Sequence, residues 1–301
     1  MAKLIFGCGY LGERVARKWR DAGHEVWAVT RRPSRAKELA ELGIRPFVGN
    51  LTDPIKLPDE ALVETVLFAV GYDRSTGQTV HEVFVQGVQN ALSVLPASVR
   101  CFLYISSTGV YGQKAGEWVD EESPCEPTRA GGRACLAAEQ ILQSQRFASR
   151  VVILRMAGLY GPGRIPKLEA VRAGAALPAA RSGFLNLIHV DDAAEVVLAA
   201  EAKSQPPCRY VVSDGCPVSR QDFYRELGRL LAAPPLRFEE PQSDSSAGQR
   251  ATSSKRVRTT RMQHDLRVRL RFPSYREGLQ AIVAGEQRAA NSPNFPEKSR
   301  G

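Results

Sequence analysis

Gly7-Cys8-Gly9-Tyr10-Leu11-Gly12 is a G-x-G-x-x-G run, and the chemistry such spacing supports is anion capture by the main chain. The first glycine permits a tight turn, the second lets backbone approach a pyrophosphate, and the third lets a helix lie against a strand. The motif carries that meaning only between a strand and a helix. Here Lys3–Phe6 reads as the strand, and Leu11–Ala22 as a helix with Leu11, Val15, Ala16 and Trp19 on one face. The first amides of that helix and its positive end then face the phosphates. Gly7, Gly9, Tyr10, Leu11 and Gly12 are therefore candidate dinucleotide-binding residues.

The next strand, Glu25–Thr30, ends in Thr30-Arg31-Arg32. An acidic residue there would hold the ribose hydroxyls of an adenosine, whereas two guanidinium groups suit a 2′-phosphate through charge-assisted, bidentate hydrogen bonds. The alternative is a pair of solvated arginines at a helix start. The pattern favours NADP(H) over NAD(H).

The elements that must position these residues alternate as in βαβ units on a parallel sheet. Further strands are expected at Ile44–Val48, Thr65–Val70, Cys101–Ser106 and Val151–Arg155, and helices at Ser34–Leu42, Val80–Leu95 and Arg133–Gln143. Beyond Tyr160, Gly161-Pro162-Gly163 and Pro166 break the chain. Phe184–Val190 and Arg209–Ser213 look like strands flanking a helix at Asp191–Lys203, and Ser219 caps a helix through Leu231. Pro241–Ser254 reads as a polar loop. The expected fold class is α/β: a Rossmann doubly wound parallel sheet with a small C-terminal substrate lobe. Residues 1–160 form the core and 161–290 the lobe, with 184–213 returning to the core and 291–301 a flexible tail.

The 301 residues suffice for such an arrangement. No apolar run is long enough to span a bilayer, and Met1–Phe6 leads straight into Gly7, leaving no room for a cleavable leader. Six cysteines, at 8, 101, 125, 135, 208 and 216, show no C-x-x-C spacing. They read as reduced thiols of a cytoplasmic protein, with no metal site. Residues 250–301 hold 12 Lys and Arg against 4 Asp and Glu, so eight of the nine excess positive charges lie there. That segment also has periodic apolar positions (Val257, Met262, Leu266, Leu270) and few aromatics. A solvated helix face or the wall of a pocket for an anionic substrate therefore outranks nucleic-acid binding.

Several blocks together resemble the extended short-chain dehydrogenase/reductases, the NAD-dependent epimerase/dehydratase family. They are Gly7–Gly12, Gly49-Asn50-Leu51, Ala69-Val70-Gly71, Ile105–Gly112, Arg155–Gly163 and Ile188–Ala194, in the family's order. The resemblance implies that Asn50 and Leu51 approach the adenine and that Ala69, Val70 and Gly71 line the cofactor. It also implies that Ser107 is the active-site serine, whose hydroxyl holds the substrate oxygen that gains or loses a proton.

The chain departs from the family where acid/base chemistry is expected. Redox members carry Tyr-x-x-x-Lys, in which the Lys charge favours the phenolate and readies Tyr for proton transfer. Counting back from Glu139, the Lys position is Cys135 and the Tyr position is Gly131. A family Asn in the Val80–Leu95 helix is Phe84 here. Cys135, Arg129, Arg133, Tyr111, Tyr160 and His189 are the groups available as substitutes, and none has a spacing that marks it as the acid. The expected function is an NAD(P)-binding oxidoreductase or epimerase-like protein for a small, perhaps anionic, molecule. The alternative is a catalytically inactive NADP-dependent sensor or scaffold.

Overall fold

The apolar runs of the N-terminal half become parallel strands because the segments between them return the chain across the sheet. In the computed structural model, which describes residues 1–57, 62–144, 146–242, 248 and 253–290, β1 (Ala2–Phe6) is buried along its length. It is joined by β2 (Val26–Thr30), β3 (Arg45–Val48), β4 (Val63–Phe68), β5 (Cys101–Ser107) and β7 (Val151–Met156). With the strand Cys208–Val212 they form a seven-stranded sheet ordered β3-β2-β1-β4-β5-β7-(208–212). All its ladders are parallel, as with Leu4 opposite Trp27 on one side and Val66 on the other. Strand order reverses between β1 and β4, the place where such sheets open a crevice at their carboxyl ends.

Helices cover both faces. On one, α1 (Gly12–Asp21) and α6 (Val190–Lys203) bury Val15, Trp19 and Val197 against Leu67 and Leu154. On the other, α3 (Gly87–Val94) and α4 (Ala130–Ser144) bury Val88, Leu92, Ala138 and Leu142 against Phe6, Phe68 and Phe102. A separate apolar cluster gathers α5 (Leu168–Arg172), α7 (Arg220–Leu230) and the last described helix, Tyr275–Ala290, around Tyr160, Val171, Phe223, Leu227 and Leu279. The Ser219 hydroxyl caps α7 by accepting from the Asp222 amide at 3.0 Å. One long-range pairing matters for the site. The strand Lys255–Val257 runs parallel to β6 (Glu117–Val119), which carries the basic C-terminal segment to the loop after β5.

Two expected elements differ. The Val80–Leu95 helix opens with a π-turn at Glu82–Gln86, and α3 begins only at Gly87; apolar spacing over so short a run does not separate a wide turn from an α-turn. Phe184–Val190 is not one strand. It breaks at Asn186, whose side chain donates to the Lys255 carbonyl and accepts from the Val257 amide, each at 2.9 Å, doing the work of a strand partner. His189 then caps α6, its Nδ1 accepting from the Asp191 amide. Most of the Pro241–Ser254 loop and the 291–301 tail lie outside the described residues. No helix among the described residues is long and apolar enough to cross a membrane.

Candidate active site

A groove of about 360 Å3 opens at the carboxyl ends of the strands around β1. It brings together Gly7, Gly9, Tyr10, Leu11, Thr30, Arg31, Arg32, Asn50, Leu51, Ala69, Val70 and Gly71. The three motif glycines play distinct parts. Gly7 has φ +88°, and a Cβ on it would stand 2.6 Å from the Val70 backbone. Gly12 does not line the groove; a Cβ there would meet the Gly7 carbonyl at 2.4 Å, so it seats α1 against the turn. A Cβ at Gly9 would meet nothing within 4 Å, which leaves its backbone facing open space. That division suits a pyrophosphate held on main-chain amides at the start of α1, where a helix has unsatisfied donors.

The far end of the groove is cationic. Arg31 reaches Asp73 at 3.4 Å, and Arg32 is exposed at the start of α2 (Pro33–Glu41). Arg35, one turn along α2, also lines the groove and donates to the Cys8 carbonyl at 3.3 Å. It is tied to Glu13 and Glu38. Burial opposes the charge of Glu13, but hydrogen bonds from Arg35 and Arg17 outweigh it and hold the carboxyl below its usual range. Burial pushes the Cys8 thiol up to about 12, so it is inert. Tyr10 lies between two guanidiniums, Arg14 at 4.6 Å and Arg164 at 5.2 Å from its ring centre. Arg35, Arg164, Thr52 and Gln78 were not expected among the lining residues. A third arginine one turn past Arg32 was a signal for the first; Arg164 follows a Gly-Pro-Gly turn and had none.

Ser107 ends β5, two residues past Ile105 of the groove wall. Its Oγ accepts from the Gly109 amide at 3.0 Å and caps the short turn Thr108–Val110. Gly132 of α4 packs hard on that turn, since a Cβ there would lie 2.1 Å from the Gly109 carbonyl. At Gly131, where the family's tyrosine would stand, a Cβ meets no atom within 4 Å. The phenol's place is open space. Cys135 is buried, and burial pushes its thiol up to about 12.

The other substitutes have structural duties. Glu139 is dry and takes a bidentate bond from Arg155 (2.7 and 3.0 Å) and one from the Ser106 hydroxyl (2.5 Å). Arg155 donates on to the Tyr111 oxygen at 2.9 Å, and Tyr111 donates to the Asp120 carbonyl at 2.7 Å. Burial pushes the Tyr111 phenol up to about 12, so it holds its proton. Tyr160 is fully buried and its phenol is likewise raised by burial. His189 sits against Phe272 (4.0 Å) and Tyr160 (5.4 Å), and burial lowers its basicity. Arg133 is exposed and donates to the Thr128 carbonyl. Arg129 is the exception: its guanidinium is 3.6 Å from the Cβ position of Gly109, beside Ser107 Oγ at 3.1 Å from the same point.

Known proteins match this arrangement over most of its length. A family model for the NAD dependent epimerase/dehydratase family covers residues 4–213. The solved structure of a functionally unknown conserved protein from Silicibacter pomeroyi DSS is 32% identical, with a TM-score of 0.80 over 94% of this chain and 98% of that one. Protein YeeZ of Escherichia coli K12 is 27% identical over 249 residues, 81% of this chain and 88% of YeeZ. The 3-diazoavenalumate denitrifying reductase of a Streptomyces species is 27% identical over 265 residues, 79% of this chain and 84% of the reductase. With its sheet order and glycine cradle already in hand, the chain belongs to the NAD dependent epimerase/dehydratase family.

Proposed function

We propose that the chain is an NAD(P)-dependent enzyme of oxidoreductase or epimerase type acting on a small molecule, with NADP(H) preferred over NAD(H). The observation that carries this is the open Gly9 backbone between the two sterically closed glycines, Gly7 and Gly12. When bound, a nicotinamide dinucleotide supplies or accepts the hydride. The chain's own residues bind and orient. Gly7–Gly12 hold the pyrophosphate, Arg31 and Arg32 take the 2′-phosphate with Arg35 behind them, and Asn50 and Leu51 flank the adenine. Ala69, Val70 and Gly71 line the nicotinamide side, and Ser107 hydrogen-bonds the reacting oxygen. General acid/base catalysis is worth about 10² to 10⁴ in rate, so its loss slows such chemistry without abolishing it. All six cysteines are free thiols, in keeping with the reducing cytoplasm.

One observation favours a second reading, an inactive cofactor-bound sensor. Gly131 carries no phenol, and both Cys135 and Tyr111 hold their protons far above neutral pH. Turnover separates the two: NADPH oxidised by some member of a carbonyl panel supports the enzyme, and tight cofactor binding without any oxidation supports the sensor. The test of cofactor choice is Arg31→Ala/Arg32→Ala. It should weaken NADPH at least tenfold more than NADH in calorimetry, and equal losses would reject the 2′-phosphate role.

A further inference from the structure

Lys255 is 6% exposed. Its Nζ donates to the Tyr111 carbonyl at 3.0 Å and to the Ser253 hydroxyl at 3.1 Å, both uncharged. Among the described residues no Asp or Glu acts on it; its charged neighbours are Arg129, from the turn before α4, and Arg220, from α7. A buried ammonium is expected to be paired or to bind something. Burial, then Arg129 and Arg220, loosen its proton to about 8, so it is still mostly charged at pH 7. Its anchor, Tyr111, closes the turn that Ser107 caps. Arg129 faces that turn at Gly109 beside Ser107 Oγ, and Gly131 at the head of α4 faces open space. Arg220 is itself fixed, donating to the carbonyls of Ser182 and Ser253.

We propose that Lys255 and Arg129 form an oxyanion-binding subsite beside Ser107, so that the substrate presents a carboxylate or phosphate group at its reacting end. The inference rests on the reading of Ser107 as the residue at that end. The two anions share one chemistry, negative oxygens accepting from an ammonium and a guanidinium, and they differ in size and charge. Lys255 supplies the counter-charge, and the space beside Gly131 accommodates the group.

Calorimetric titration of the full chain, preloaded with NADPH to fill the pyrophosphate cradle, tests this with sodium phosphate in one arm and sodium acetate in the other. One saturable site is expected, weakened at least tenfold in Lys255→Met, largely kept in Lys255→Arg, and weakening above pH 8 in the wild type but not in Lys255→Arg. Phosphate alone binding identifies a phosphoryl substrate, and acetate binding at least as well identifies a carboxylate. Lys255→Gln reads the same loss should Lys255→Met fail to fold. Absence of saturable binding of either anion, or equal binding by wild type and the Lys255 variants, overturns the proposal. NADPH binding, measured first on the same samples, tests the dinucleotide reading separately. If NADPH fails to bind, the anion arms are run without it and the difference between wild type and Lys255→Met is read alone.

Discussion

Lys3 and Lys255 are equally hidden, at 5% and 6% exposed, yet their surroundings are opposite. Lys3, in β1, bridges Glu64 of β4 and Glu201 of α6 at 2.7 and 2.6 Å and also meets the Thr65 hydroxyl. Burial alone would loosen its proton, but the hydrogen bonds and charges of Glu201 and Glu64 more than reverse this and raise its basicity. Lys255 has only neutral acceptors and two arginine neighbours, and its proton is loosened. The first lysine is complete within the protein and clamps a helix to the sheet. The second is completed from outside. Depth of burial therefore says little about a charge until its partners are counted, and the same logic separates the dry Arg155–Glu139 pair from Arg129 at the site.

The largest effect is expected where a paired charge is broken in the driest setting. Arg155→Met strands the Glu139 carboxylate, both side chains being 2% exposed, and should cost about 3–5 kcal/mol in denaturant unfolding. A loss under 1 kcal/mol would mean that Ser106 alone suffices for Glu139. Lys3→Met breaks the comparison from the paired side. Its partners are 24% and 16% exposed and can turn to water, so the expected loss is smaller, about 2 kcal/mol. Because the folded state raises the basicity of Lys3, its contribution is fully present below pH 10.5 and disappears only above that.

The sharpest contrast is in pH dependence. Lys255 releases its proton near pH 8 when folded and near 10.5 when unfolded, so between those values the unfolded chain binds the extra proton and stability rises with pH. Relative to Lys255→Met, the wild type should gain up to about 3 kcal/mol across that window. A flat difference, measured by thermal unfolding of both proteins from pH 7 to 10, would show that an anionic partner already neutralises Lys255. At pH 7 the two effects of Lys255→Met, removing a poorly solvated charge and losing two hydrogen bonds, nearly cancel. The net change there should be within about 1 kcal/mol.

Much of the fold was legible because its determinants are local. Gly7, Gly9 and Gly12 are dictated by backbone clearance within a single turn, the strand–helix alternation by periodicity, and the Ser219 cap by one hydroxyl and one amide. The candidate groove was legible for the same reason, because its lining follows strand ends. What escaped depends on contacts distant in sequence. Lys255 reaches the Ser107 loop only through the pairing of Lys255–Val257 with β6, and in the sequence it was one of many basic residues in a charged tail. Arg164 depends on where a Gly-Pro-Gly turn aims it. The break of Phe184–Val190 hinges on Asn186 finding partners in that same distant strand.

The two replaced acid/base positions are not equally reversible. A ring hung from Gly131 would enter unoccupied room, whereas an ammonium at Cys135 would be wedged among Val110, Tyr111, Val119 and Val257 with no solvent path. Reinstating the pair therefore demands rebuilding an apolar layer on one side and nothing on the other, so a protein engineer would begin with the aromatic and leave the thiol alone.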